Sequence, residues 1–168
     1  MGPRAPYSDR LLIADDAPFV VALHAAPHAR AHVHAPTEEQ VRATVNEADR
    51  ERRIILDAGG TPVGFWALMV QGGGWLVELS RLIAIAPGRG IGTWALRRMT
   101  ARAFEDLGAH KVYLEVTADN APARALYERE GFVLEGVFRD GYRDGATGAY
   151  RARKTFRYRT IAWQVRPW

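Results

Sequence analysis

Ile85-Ala86-Pro87-Gly88-Arg89-Gly90-Ile91-Gly92 runs from the end of an apolar, β-rich stretch straight into an amphipathic helix, and the fold turns on what this loop is for. Glycines at alternate positions let the backbone turn with its N–H groups facing one concavity, and a helix start adds partial positive charge. A phosphate or pyrophosphate is therefore the expected guest. No Gly-Lys-Ser/Thr is present, which excludes a Walker-type loop. Gly90, Gly92 and Ala95 also satisfy the dinucleotide pattern G-x-G-x-x-A, and Glu115 closes the next strand about where a ribose-binding acid would lie. Taken alone the motif does not choose between these ligands. Its surroundings do.

Upstream, Ile54-Ile55-Leu56-Asp57 predicts a strand, Ala58–Thr61 a tight turn and Val63–Val70 a second strand. Gln71-Gly72-Gly73-Gly74 turns the chain again into a third, Trp75–Ile85, completing an antiparallel meander. Before these come a short apolar run, Leu11–Ile13, and a helix opened by Asp15-Asp16 that Pro27 stops near Ala25. Thr37-Glu38-Glu39-Gln40 has capping-box spacing and launches a second helix to about Arg50. Downstream, Gly90–Leu107 reads as a helix with Leu96, Met99, Ala103 and Leu107 on one stripe, followed by a buried-type strand at Val112–Val116. Asn120 and Pro122 open a helix from about Ala121 to Glu130 that Gly131 closes; strands follow at Phe132–Phe138 and Thr155–Val165, joined by a glycine- and arginine-rich connection. A dinucleotide fold needs its glycine turn after an early strand and several further βα units, so nicotinamide and flavin are set aside.

The order strand, Pro87-Gly88-Arg89-Gly90-Ile91-Gly92, helix, Val112-Tyr113-Leu114-Glu115-Val116, then Asn120-Ala121-Pro122-Ala123-Arg124-Ala125-Leu126-Tyr127-Glu128-Arg129-Glu130-Gly131-Phe132 resembles the core of the GCN5-related N-acetyltransferase (GNAT) family over residues 75–138. The resemblance implies an α/β (α+β) fold with a central mixed, mostly antiparallel sheet of six to seven strands flanked by about four helices. It implies one N-acetyltransferase domain over residues 1–168, with the cofactor-binding core at 75–138 and acetyl-CoA as cosubstrate. Ile83, Ala84 and Ile85 would then present main-chain groups to the pantetheine arm and acetyl carbonyl, and Arg89, Gly90, Ile91, Gly92 and Thr93 would hold the pyrophosphate. Asn120 matches the family position whose amide contacts the cofactor, and is equally suited to cap a helix; Tyr127 matches the tyrosine whose hydroxyl lies near the CoA sulfur. Pro87 departs from the family, which usually has Gln or Arg there, and brings no N–H.

Amine acetylation needs a neutral amine, stabilisation of an oxyanion and a proton for the leaving thiolate, with no covalent enzyme intermediate. Glu78, central in the strand leading to the loop, is the most economical base; a solvated strand residue or a partner for Arg81 is its plainer reading. Glu115 is the second choice of base, and Tyr127 the acid for the thiolate. The expected function is transfer of the acetyl group to a primary amine of a small-molecule acceptor by direct attack. A protein or peptide N-terminal acetyltransferase of the ribosomal-protein type, and a non-catalytic CoA-binding module, are the alternatives.

Composition bounds the rest. The chain has 168 residues, 48% hydrophobic and 25% charged, enough for one domain burying roughly 70% of its unfolded surface. The absence of cysteine excludes a disulfide scaffold, a thiolate nucleophile and a Cys-based zinc site. No apolar run of membrane-spanning length occurs, nor an apolar segment behind Met1–Arg10, so no membrane partner and a cytoplasmic location are expected. Basicity is concentrated at one end: residues 139–168 carry a net charge of +6 and residues 1–138 a net of −2. That distribution disfavours nucleic acid as a partner. Arg151, Arg153, Lys154, Arg157 and Arg159 interleaved with Phe156, Tyr158 and Trp163 suit an edge or interface strand through which a homodimer would form. His24, His28 and His32 are spaced by four, but Pro27 breaks the helix between the first two, and no metal is expected. With His34 they form a polar connection between helices, which the resemblance would make a wall of the acceptor site, suited to an acidic or polar substrate.

Overall fold

In the computed structural model, residues 6–138, 142–143, 150–151 and 155–161 are described. Strand β1 (Tyr7–Leu11) leads through a single turn into helix α1 (Ala17–Ala25), whose first turn carries Pro18 where no N–H is needed. The break falls where expected: α1 ends at Ala25, and Ala26 turns to ψ 143° before Pro27. Pro27 occupies the first turn of a short second helix, α2 (Pro27–Arg30), for the same reason, with Arg30 N–H donating to Ala26 O at 2.9 Å. Helix α3 (Glu38–Ala43) opens with the expected box: Gln40 N–H donates to Thr37 Oγ1 at 3.2 Å and Thr37 N–H to Gln40 Oε1 at 2.8 Å. It ends at Ala43 rather than near Arg50, because the Thr44 hydroxyl takes the Val41 carbonyl at 2.7 Å and the chain leaves the helix there.

The hairpin of β2 (Arg50–Asp57) and β3 (Pro62–Gln71) turns on Asp57, whose Oδ1 accepts from Gly59 and Thr61 N–H at 2.9 Å each, with Gly60 left-handed at φ 84°. After left-handed Gly72–Gly74 comes β4 (Leu76–Ala84). Helix α4 (Ile91–Ala101) widens into a π-helical turn over Arg102–Asp106, within the span expected to be one helix. Then follow β5 (Lys111–Thr117), α5 (Ala121–Arg129), β6 (Val133–Phe138), a two-residue pair β7 (Tyr142–Arg143) and β8 (Tyr150–Arg151) inside the expected connection, and β9 (Thr155–Ile161).

Among the described residues seven strands form a mixed sheet in the order β1-β2-β3-β4-β5-β9-β6, the fold class expected, with five α-helices. β4 pairs parallel with β5, Leu76 opposite Lys111 and Glu78 opposite Tyr113, whereas β5–β9 and β9–β6 are antiparallel. The C-terminal strand is thus not the edge strand expected. Over Thr155–Ile161 both its sides are taken, by β5 and β6, and Tyr158 is fully buried; Trp163 lies outside the described residues. Within that interior strand Arg157 and Arg159 share one face and Tyr158 takes the other. The edge is β6, where Val133, Leu134, Val137 and Phe138 are exposed.

Two compact units make up the chain. In the first, residues 1–68 with 81–96, Val20 and Leu23 of α1 pack with Leu12, Ile54, Phe65 and Ile83. Gly64 marks the tightest approach: a Cβ there would lie 2.9 Å from Ile83 O and 2.8 Å from Ile55 Cδ1. In the second, residues 69–80 with 97–168, the buried residues include Val77, Met99, Val112, Leu114 and Phe132. Among the described residues no helix is long and apolar enough to cross a membrane.

Candidate functional site

The glycine loop belongs to the first unit and has the backbone its sequence demands. Gly88 and Gly90 sit at φ 78° and 76°, a region costly for residues with a Cβ, and a Cβ at either would meet no atom within 4 Å. Conformation, not crowding, requires glycine there, and the surface above both is open. Trp94 N–H donates to Gly90 O at 3.0 Å as the first helical bond of α4, so the N–H groups of Ile91 and Gly92 precede it at the helix N-terminus. Together these features form a concave set of donors at a helix N-terminus, which fits a pyrophosphate.

Two further residues shape the loop. The Tyr7 hydroxyl donates to Arg89 O at 2.7 Å, and its ring tilts against Trp94 at 5.9 Å, so β1 holds the crown of the loop. His28 Nε2–H donates to Ala84 O at 2.7 Å, while Ile85 N–H donates to Val63 O at 3.0 Å. Of the Ile83–Ile85 groups assigned to the pantetheine arm, these two are already engaged within the protein. His24 is buried, with Nδ1–H donating to Val20 O at 2.7 Å and its ring 5.8 Å from Phe65. Burial holds its pKa below the ordinary imidazole value, and the charges of Arg81 and His34 push the same way. Among the described residues no group of three or more His, Asp or Glu is placed to hold a metal ion.

The second unit holds the acid–base candidates. Glu78, Tyr113 and Gln71 come from three neighbouring strands and close a triangle. Tyr113 Oη–H donates to Glu78 Oε2 at 2.9 Å, and Gln71 Nε2 donates to Glu78 Oε2 at 3.3 Å and to Tyr113 Oη at 3.0 Å. Both bonds to the carboxylate fall on one oxygen, so Oε1 remains available. Burial, and then the bond to Glu78, push the Tyr113 pKa above the ordinary phenol range, which keeps the hydroxyl a donor. Arg157 lies 4.9 Å from the centre of the Tyr113 ring and binds Glu115 Oε1 at 2.6 Å. Glu115 is therefore committed to a cross-strand ion pair directly opposite Arg157, which accounts for it without catalysis.

On α5, Asn120 Oδ1 accepts from Ala123 N–H at 3.3 Å, so the cap role is real and the side-chain NH2 is left over. Tyr127 packs its ring against Phe132 and Tyr158, with centroids 6.1 and 6.2 Å away. The residue retains part of its surface, but its hydroxyl end is enclosed and makes no hydrogen bond among the described residues; burial pushes its pKa up to about 12. An enclosed hydroxyl with no partner among the described residues is able to donate to a ligand atom.

Tyr7, Gln71 and Tyr113, and the contact of His28, escaped the sequence reading. Tyr113 stood in the quoted strand, but only the parallel register sets it opposite Glu78.

A mixed sheet whose fourth strand runs through a left-handed glycine turn into a helix N-terminus, and whose parallel fifth strand leads to an Asn-capped helix, has the architecture of the GNAT class. The sequence profile of the acetyltransferase (GNAT) family matches residues 17–132, and the chain belongs to that family. Mycothiol acetyltransferase of Pseudarthrobacter chlorophenolicus is 36% identical over 100 residues, which are 52% of this chain and 31% of that protein. Spermidine N(1)-acetyltransferase of Vibrio cholerae is 30% identical over 109 residues, 59% of this chain and 58% of that one. The chain thus matches less than two thirds of either relative's length. The crystal structure of spermidine N-acetyltransferase from Vibrio cholerae in complex with CoA and spermine superposes with a TM-score of 0.81 at 22% identity, covering 96% of this chain and 98% of that one, and shares its fold.

Proposed function

We propose that the protein is an N-acetyltransferase that moves the acetyl group of acetyl-CoA to the primary amine of a small molecule by direct attack. The observation that carries this is the open, left-handed turn of Gly88 and Gly90 at the N-terminus of α4, in a chain of the GNAT family. Acetyl-CoA supplies a thioester activated toward amines. In this reading the backbone N–H groups from Arg89 through Thr93 bind the pyrophosphate, and the free groups of Ile83–Ile85 align the pantetheine arm. The side-chain NH2 of Asn120, unused by the cap, donates to the cofactor. Glu78, anchored through Oε2, accepts the amine proton at Oε1 directly or through a water. Tyr127 remains protonated at neutral pH, and its hydroxyl donates to the departing sulfur. The same enclosure that raises the phenol pKa also disfavours a bare thiolate, so donation is favoured as charge develops on sulfur.

Mycothiol acetyltransferase and spermidine N(1)-acetyltransferase carry the names of small-molecule acetyltransferases, which supports a small amine, whereas a Bacillus subtilis relative, 43% identical over 54 residues, carries the name of a putative ribosomal N-acetyltransferase and keeps a protein N-terminus as the second reading. Action in the cytoplasm follows from the cosubstrate in this reading. Calorimetric titration with acetyl-CoA, against NADH and ATP, followed by thiol release over a panel of amines and peptides, tests it. The chain has no cysteine, so every thiol detected is product CoA. Selective acetyl-CoA binding with amine-dependent thiol release that Glu78→Gln suppresses is the expected result. Binding without release on any acceptor would leave a CoA-binding module, and no binding would refute the reading.

A further inference from the structure

From Ala17 to Thr37 the sequence holds His24, His28, Arg30, His32 and His34 and neither aspartate nor glutamate. α2 brings this stretch to the end of β4: the 2.7 Å bond from His28 Nε2 to Ala84 O places it beside the last strand residue before the glycine turn. Arg81 adds charge to the same region. On a strand, Arg81 and Ile83 share a face, and Ile83 packs in the core with Val20 and Leu23 of α1, so Arg81 is on the α1 side. His24 of α1 accordingly feels the charges of both Arg81 and His34. Of the flanking acids, Asp16 is held by Arg10 through two 2.7 Å bonds and Glu38 by Arg42 at 2.6 Å, and Asp15 and Glu39 lie exposed beyond the two ends of the stretch.

A polycationic amine approaching this face meets like charge, whereas a carboxylate or phosphate meets a guanidinium and imidazoles. We infer that the acceptor is a primary amine that also carries an anionic group, a carboxylate or a phosphate, and that the basic stretch from α1 to Thr37 selects it by charge. The inference rests on the proposed acetyl transfer and names the class of its second substrate. It also separates this chain from its Vibrio cholerae relative, which bears the name of a polyamine.

The test is thiol release at saturating acetyl-CoA with a matched set of four-carbon amines: butylamine, 4-aminobutyrate and 1,4-diaminobutane. Glucosamine and glucosamine 6-phosphate, run beside them, tell a carboxylate preference from a phosphate preference. The anionic member of at least one set should exceed its neutral counterpart by about tenfold in kcat/KM, with the diamine lowest, and the gap should shrink at about 0.5 M salt. The double variant Arg30→Glu/His34→Glu, at two exposed positions, should reverse that order without changing the KM for acetyl-CoA. A diamine equal to or better than the anionic amine overturns the inference and leaves acetyl transfer standing. A double variant that raises the acetyl-CoA KM and keeps the acceptor order also overturns it, because the basic face would then serve the cofactor. Thiol release from no amine of any charge, with acetyl-CoA still bound, refutes acetyl transfer itself and the inference with it.

Discussion

Gly64→Ala puts a methyl group into the closest approach between β3 and β4, just upstream of the glycine turn. The added Cβ would lie 2.8 Å from Ile55 Cδ1 and 2.9 Å from Ile83 O, separations that real Cβ atoms essentially never show. Ile55 can yield by rotating its terminal carbon, though it is fully buried and has little room. Ile83 O is backbone and yields only if β4 withdraws by a few tenths of an ångström. Overpacking of this kind costs about 1–3 kcal/mol, and about 2 kcal/mol lowers Tm by about 4–8 °C in a chain of this length. The withdrawing atoms adjoin Ala84, whose carbonyl His28 holds, so the KM for acetyl-CoA should rise several-fold as well. Thermal unfolding by circular dichroism and steady-state thiol release give both numbers. Gly136→Ala is the control: its Cβ meets nothing within 4 Å and its φ is not left-handed, so Tm should hold or rise slightly. A Gly64→Ala protein with wild-type Tm and KM would refute the close approach on which this reasoning depends.

Gly90→Asp forces a left-handed φ on a residue with a Cβ and sets a negative charge where a phosphate must come; calorimetry should show acetyl-CoA binding lost, and unchanged affinity would remove the loop from the site. Tyr127→Phe should cut kcat about 100-fold with acetyl-CoA affinity kept and Tm not lowered, because the hydroxyl has no partner to lose among the described residues; a wild-type kcat would reduce the residue to packing. Tyr113→Phe frees Glu78 Oε2 of one donor, so kcat/KM for the acceptor should fall while the acetyl-CoA Kd stays; an equal change in both would make the triangle structural. For His24 the sign follows from burial, which lowers the folded pKa below 6.5, with Arg81 and His34 adding and the Val20 carbonyl opposing. The unfolded chain then takes up the proton first, so stability is full above about pH 6.5 and declines as pH falls from there toward the folded value. Melting at about pH 7.5 and about pH 5 should show that decline in the wild type and less of it in His24→Leu; parallel curves would refute the assignment.

What was legible in the sequence was local. The capping box at Thr37, the turn over Ala58–Thr61 and the Asn120 cap are each decided by residues within four positions of one another, and the structure has all three; the glycine loop likewise has the left-handed backbone that its residues imply. The stop of α1 before Pro27 was legible too, whereas the short α2 that the same proline opens was not, because the missing N–H that ends one helix suits the first turn of the next. Placing β9 in the sheet interior required knowing that β5 and β6 flank it, information held in long-range pairing. The partners of the site residues were hidden for the same reason. Gln71 and Glu78 are seven residues apart, but Tyr113 joins them from 35 residues beyond Glu78. Glu115 was a fair candidate by residue type, and the cross-strand neighbour that neutralises it lies 42 positions away.

The bond from Tyr7 to Arg89 spans 82 positions, and it limits how portable the loop is. A motif confined to residues 75–138 invites the idea of a transplantable cassette, yet its crown takes its shape from the first strand of the sheet. A graft would carry the glycines without their clamp, and the ligand would have to order the loop at the expense of affinity. A local comparison of loops would miss the tyrosine that shapes this one.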